Sequence, residues 1–159
     1  MTILVVAGCG GGGKTEASQV VQGPGYRFAA PAGWTVKREP HVVSALLPGS
    51  DVDLVSVSRY RLPKVPTAGE IDAAARLLAR SLGGKISSQG VAQVAGRVAP
   101  KYEIEYSRAG ADRGVRLIFF LRRRLEFQLL CRWIAPPAKE TSRACTELAR
   151  SFTPAPRVS

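Results

Sequence analysis

Leu125, Phe127, Leu129, Cys131 and Trp133 occupy every second position of one run, so an extended backbone puts all five on a single face. Leu130 in the same run, and Ile118 and Phe120 in the preceding run 115–121, place apolar side chains on the opposite faces as well. Strands of this kind need cover on both sides. A sheet with helices packed on it supplies that cover.

Two stretches have the period and the punctuation of helices. Thr67-x-x-Glu70 is a capping box, in which the Thr hydroxyl accepts from the third helical N–H and the Glu carboxylate reaches back to the Thr amide. Ile71, Ala74, Ala75, Leu78 and Leu82 recur at helical spacing until Gly83-Gly84, which predicts one helix over about 68–82. Asp72 and Arg76 form an i,i+4 pair on its polar side. The second helix follows Ala135-Pro136-Pro137, with Pro137 at the first helical position, and presents Ala138, Thr141, Cys145, Leu148 and Phe152 as its apolar stripe; Pro154 ends it. Before the first helix, strand patterns lie at 26–28, 34–36, 41–47 and 52–60. Between the helices they lie at 86–94, 98–107, 115–121 and 125–134. Turns of hairpin length join them, at Pro48-Gly49-Ser50-Asp51, Gly110–Gly114 and Arg122-Arg123-Arg124. The expected class is α+β: an antiparallel sheet of about six to seven strands with two main helices packed on it.

This order of elements resembles the PsbP-like fold family, including its bacterial lipoprotein members. The residues that carry the resemblance are Tyr26-Arg27-Phe28…Pro31-x-Gly33-Trp34, the central capped helix, and Leu129-x-Cys131…Cys145…Ser151-Phe152, spanning about residues 25–153. The resemblance implies an αβα sandwich that serves as an envelope or accessory binding module, without enzymatic activity, and it brings no catalytic residues with it.

The N-terminal stretch Ile3–Thr15 supports two incompatible readings. As Gly8-x-x-x-x-Gly13-Lys14-Thr15 behind an apolar run it spells a phosphate-binding P-loop, whose chemistry needs a strand, a glycine loop and a helix. The helix has no room, because only Glu16–Gln22 separates Thr15 from Gly23-Pro24-Gly25, and about 12–15 residues is where a helix becomes stable. As Val6-Ala7-Gly8-Cys9 it is a lipobox, with Cys9 the lipidated residue. The apolar run Ile3–Ala7 is short for a signal peptide and no basic residue precedes it, so this reading expects the signal to begin upstream. The domains expected are therefore a signal remnant over 1–9, a flexible glycine-rich linker over 10–25, the α+β domain over 26–153 and a tail over 154–159. The corresponding location is the extracytoplasmic face of the cell membrane, held by lipid on Cys9.

Twenty-three basic against twelve acidic residues give a formal charge of +11, scattered apart from Arg122-Arg123-Arg124. A solvated turn is the plainer reading of that triplet. The functional one is attraction to anionic lipid or an acidic envelope partner, at about 1 kcal/mol for each basic residue near the surface. A protein partner of unknown identity fits the binding-module reading too. Nucleic acid does not fit, because no aromatic–basic platform or recognition helix accompanies the charge. The single histidine, His41, lies in a strand pattern, and no Gly-x-Ser-x-Gly, His-Glu-x-x-His or Cys-x-x-Cys occurs. No metal, cofactor or catalytic set is expected. Asp51 and Asp53 at a turn read as solvated, and Trp34 and Trp133 as core or as walls of a small-ligand cleft. That leaves a ligand carrier as an alternative to the binding module, and a P-loop protein as the enzyme alternative.

Cys131 shares the face of Phe127, Leu129 and Trp133, while Cys145 shares the stripe of Leu148 and Phe152. Pro136-Pro137 makes the connection short enough for the helix to fold back onto the strand it follows. With Cys9 taken by lipid in an oxidising compartment, Cys131 and Cys145 are expected to form a disulfide.

Overall fold

The computed structural model describes residues 17–156. Five strands come first: β1 (Ser18–Gly23), β2 (Tyr26–Pro31), β3 (Thr35–Arg38), β4 (Val42–Leu46) and β5 (Leu54–Arg61). Helix α1 (Ala68–Ser81) follows, then the long strands β6 (Lys85–Val94), β7 (Arg97–Arg108), β8 (Ala111–Arg122) and β9 (Leu125–Ile134). Helix α2 (Lys139–Ser151) and the short β10 (Thr153–Pro154) complete the chain. Seven strands form one antiparallel sheet in the order β3-β4-β5-β9-β8-β7-β6, and β1-β2-β10 form a second, three-stranded sheet. The alternating run from Leu125 to Trp133 lies in β9, the middle strand of the large sheet.

The helices lie on opposite faces of that sheet. Under α1, Ile71, Ala75 and Ala79 meet Tyr102, Ile104, Tyr106, Leu117 and Phe119. Small side chains on the helix let it approach a sheet face built from large ones. The capping box is present: the Thr67 amide donates to Glu70 Oε2 at 2.8 Å, and the Glu70 amide donates to Thr67 Oγ1 at 3.2 Å. Lys64, 2.6 Å from the same carboxylate, is the main reason its pKa falls to about 2, and the Thr67 amide adds to the effect.

On the other face, α2 and β2 share a core with β9. Phe127 and Phe152 have ring centroids 5.3 Å apart, Phe120 and Phe152 5.4 Å, and Tyr26 and Phe127 5.8 Å. The Tyr26 hydroxyl donates to the Val57 carbonyl at 2.8 Å. Burial pushes its pKa up to about 12, against the pull of Arg38 and Arg59.

Several expectations need correction. Residues 18–25 are not linker: Ser18–Gly23 pairs with Tyr26–Pro31 over six residues, and the inward Val21 is 1% exposed. One buried valine on a paired edge suffices to order a stretch whose composition reads as polar. The rest of that stretch, 10–16, lies outside the described residues. The tail begins later than 154, because Thr153 and Pro154 pair with Arg27 and Tyr26 and the Ala155 amide donates to Gly25 at 2.8 Å. Pro137 and Ala138 precede the second helix rather than opening it, and Ala138 is exposed. On α1 the buried position is Ala79, while Ala74 faces solvent.

Candidate functional site

The arginines that look scattered in sequence converge in space. The β8–β9 turn carries Arg122, Arg123 and Arg124, and the register Arg61↔Leu125 brings the end of β5 alongside it. On the other side, Arg97 opens β7, donates to the Leu121 carbonyl at 3.0 Å and lies 5.6 Å over the Phe120 ring. Arg59 extends over Gly25 in the β1–β2 turn, and Arg38 closes the group by donating to the Gln22 carbonyl at 3.2 Å. One end of the molecule thus gathers seven guanidinium groups.

Backbone carbonyls hold several of them in place. Arg122 donates to the Ala155 carbonyl, and Arg124 to the Pro63 carbonyl at 3.5 Å. None of the seven forms an ion pair with an acidic side chain among the described residues: Glu39 pairs with Lys37, Glu70 with Lys64, and the buried Glu126 accepts from Gln128. The positive charge is therefore partly held in place and not neutralised by a side-chain ion pair among the described residues. Arg123 also has a φ of 58°, a left-handed conformation that costs a non-glycine residue about 1–2 kcal/mol. Glycine would relieve that cost, yet an arginine stands there.

The opposite end of the large sheet holds a groove of about 820 Å³ between the end of α1, β7 and the end of β9. Trp133 forms its wall and packs on Gly114, where an added Cβ would sit 2.3 Å from the indole. Arg113 also lines it, with a buried Nε that has no hydrogen-bond partner. The lining mixes these with Lys85, Glu103, Glu105 and Asp112, so no single ligand charge is selected.

The structure joins Cys131 and Cys145 in a disulfide between β9 and α2, with Cα atoms 5.5 Å apart. Cys9 and the whole of Gly8–Thr15 lie outside the described residues. Asp53 is structural: it accepts from Ser50 Oγ at 2.7 Å and from Thr141 Oγ1 at 3.1 Å, tying the first turn of α2 to the β4–β5 loop. Trp34 is buried and donates to Glu140 at 2.7 Å, whereas Trp133 is half-buried at the groove. His41 is exposed and stacks on Tyr60 with ring centroids 6.1 Å apart. Among the described residues no three His, Cys, Asp or Glu side chains group as metal ligands, and no helix is long and apolar enough to cross a membrane.

No family model and no curated protein matches the chain. Solved structures do match it. The chain is similar to cyanobacterial PsbP (CyanoP) from Synechocystis, with a TM-score of 0.62 and 16% identity over 94% of this chain and 98% of that one. It is similar to LpqN, involved in cell envelope biogenesis of Mycobacterium tuberculosis, with a TM-score of 0.58 and 15% identity over 88% and 91% of the two chains. A Bacteroides thetaiotaomicron protein matches with a TM-score of 0.58 and 10% identity; the match covers 84% of this chain but only 46% of that one. The fold is therefore PsbP-like α+β. Identities this low speak to fold alone.

Proposed function

We propose that the chain is a lipid-anchored, extracytoplasmic binding module that holds an acidic envelope partner at its arginine end and catalyses no reaction on it. The observation that carries this reading is the arginine end itself, seven guanidinium groups, four of them held by backbone carbonyls, without an acidic ion-pair partner among the described residues. Val6-Ala7-Gly8-Cys9 supports the anchor, and the Cys131–Cys145 disulfide fits an oxidising compartment. The likeness to LpqN, involved in cell envelope biogenesis, agrees with it.

The direction of the chain favours an acidic partner other than the headgroups around the anchor. Gln19 near the start of β1 donates to the Trp34 carbonyl, and strand pairing carries that level through Thr35, Leu46, Leu54 and Arg132 to Val115. Arg122 lies seven residues further along β8, about 23 Å at strand spacing. The described chain thus enters the fold at the end opposite the arginines, which supports a partner other than the headgroups around an anchor at Cys9.

The test is binding of an acidic polypeptide, polyglutamate, to the full chain carrying Cys9→Ser. Salt-sensitive binding is expected, with replacement of Arg122, Arg123 and Arg124 by Ala weakening it roughly a hundredfold at about 1 kcal/mol per charge. Arg123→Gly separates function from folding, because relief of the left-handed backbone should leave stability unchanged or higher while binding falls. Binding that ignores salt, or survives the triple substitution, would remove the arginine end from the account.

A further inference from the structure

At the arginine end the two faces of the large sheet carry different side chains. Arg59 and Arg61 follow Val55 and Val57 at every second position of β5, so they stand on the face that carries α2 and β2. Arg38 after Val36, Arg122 after Phe120 and Arg97 before Ala99 stand on that face too. The intervening positions meet on the α1 face. There Tyr60 pairs with Glu126 and Glu126 with Leu121, and the β7–β8 register, counted on from Lys101↔Ile118, brings Val98 level with Leu121. Glu126 is buried in this row, where it accepts from Gln128, and leaves the outer surface to its neighbours. Tyr60 is 39% and Val98 62% exposed. Val65, just past the Pro63 carbonyl that accepts from Arg124, is 57% exposed.

We infer that the partner of the arginine end is an extended segment of acidic polypeptide in which acidic and apolar side chains alternate, an inference that rests on the binding role proposed for that end. The acids reach the arginine face, and the apolar residues reach Tyr60, Val65 and Val98. Charge alone fits any polyanion; the exposed apolar row does not. A bare polyphosphate chain has nothing to cover Tyr60 and Val98, whereas successive side chains of an extended polypeptide point to opposite sides. Because the strands end here, only the thickness of one backbone separates the two faces, and a segment lying across the strand ends reaches both. From Arg97 on β7 through Arg122 to Arg61 on β5 is three strand spacings, about 14 Å, or about four extended residues. Continuing to Arg38 on β3 makes five spacings, about 24 Å and about seven residues.

Fluorescence anisotropy with the full chain carrying Cys9→Ser tests this, using two labelled octapeptides of equal charge, one alternating Glu and Leu and the other Glu and Ser. The Glu-Leu peptide should bind at least tenfold more tightly, since burying one such apolar side chain is worth about that factor. Tyr60→Ser with Val98→Ser should remove most of the difference and leave polyglutamate binding unchanged, and that retained binding reports a folded protein. Val98→Ser alone, at an exposed position outside the core, should remove part of it. Polyglutamate that fails to bind would overturn the arginine end as a site, and this inference with it. With polyglutamate bound, equal affinity for the two octapeptides, or a Glu-Leu preference that survives both Ser substitutions, would overturn the alternating partner alone. Polyphosphate of equal charge binding more tightly than the Glu-Leu peptide would overturn it in favour of a bare polyanion.

Discussion

Phe127→Ala is expected to destabilise the domain by about 3–5 kcal/mol, the range for emptying a large aromatic site in a packed core. Phe127 is 1% exposed and sits where three parts of the chain meet. Its ring contacts Phe152 after α2, Phe120 on β8 and Tyr26 on β2, with centroids between 5.3 and 6.1 Å. Because those neighbours are themselves held by the disulfide and by the Tyr26–Val57 hydrogen bond, the site has little freedom to collapse into the space left. A domain with roughly 5–15 kcal/mol of net stability would lose much of it. Urea unfolding of Phe127→Ala beside the unsubstituted chain measures the loss. A difference under about 1.5 kcal/mol, the size of a volume-conserving swap, would show that the aromatic cluster is not the centre of this core.

Replacing both Cys131 and Cys145 by Ala should cost about 3 kcal/mol, the chain-entropy value for a closed loop of about 15 residues. The two cysteines are 14 residues apart, and their bond fastens α2 directly to the middle of the large sheet. The loss arises mostly in the unfolded chain, which gains freedom when the cross-link is absent, so the urea dependence should also steepen. Reductant added to the unsubstituted protein should reproduce the effect and leave the double variant unaffected. Equal unfolding midpoints with and without reductant would remove the bond from the native protein, and with it one support for an oxidising compartment.

Much of the fold is written locally. The capping box at Thr67 and Glu70 and the alternation from Leu125 to Trp133 each specify an element with residues close in sequence, and both are present as read. What sequence alone left hidden depends on distant parts of the chain. β1 is ordered by pairing with β2 around a single buried side chain, Val21, so its polar composition reads as linker. The arginine end needs the strand order β5-β9-β8-β7, which brings Arg61, Arg124, Arg122 and Arg97 together although Arg61 and Arg124 are 63 positions apart in sequence. Of that site only the triplet at 122–124 was visible as a cluster. The Asp53–Thr141 link is equally non-local, and a turn aspartate offers no sign that it will be buried under a helix 88 positions away.

The two readings of Ile3–Thr15 lead to different proteins, an anchored envelope module or a nucleotide-binding enzyme. Metabolic labelling with a fatty-acid analogue separates them, using the unsubstituted chain and Cys9→Ser, each expressed from the native locus. The account predicts label on the unsubstituted protein alone, together with its recovery in the membrane fraction. An unlabelled protein that remains soluble with a free Cys9 thiol would contradict it.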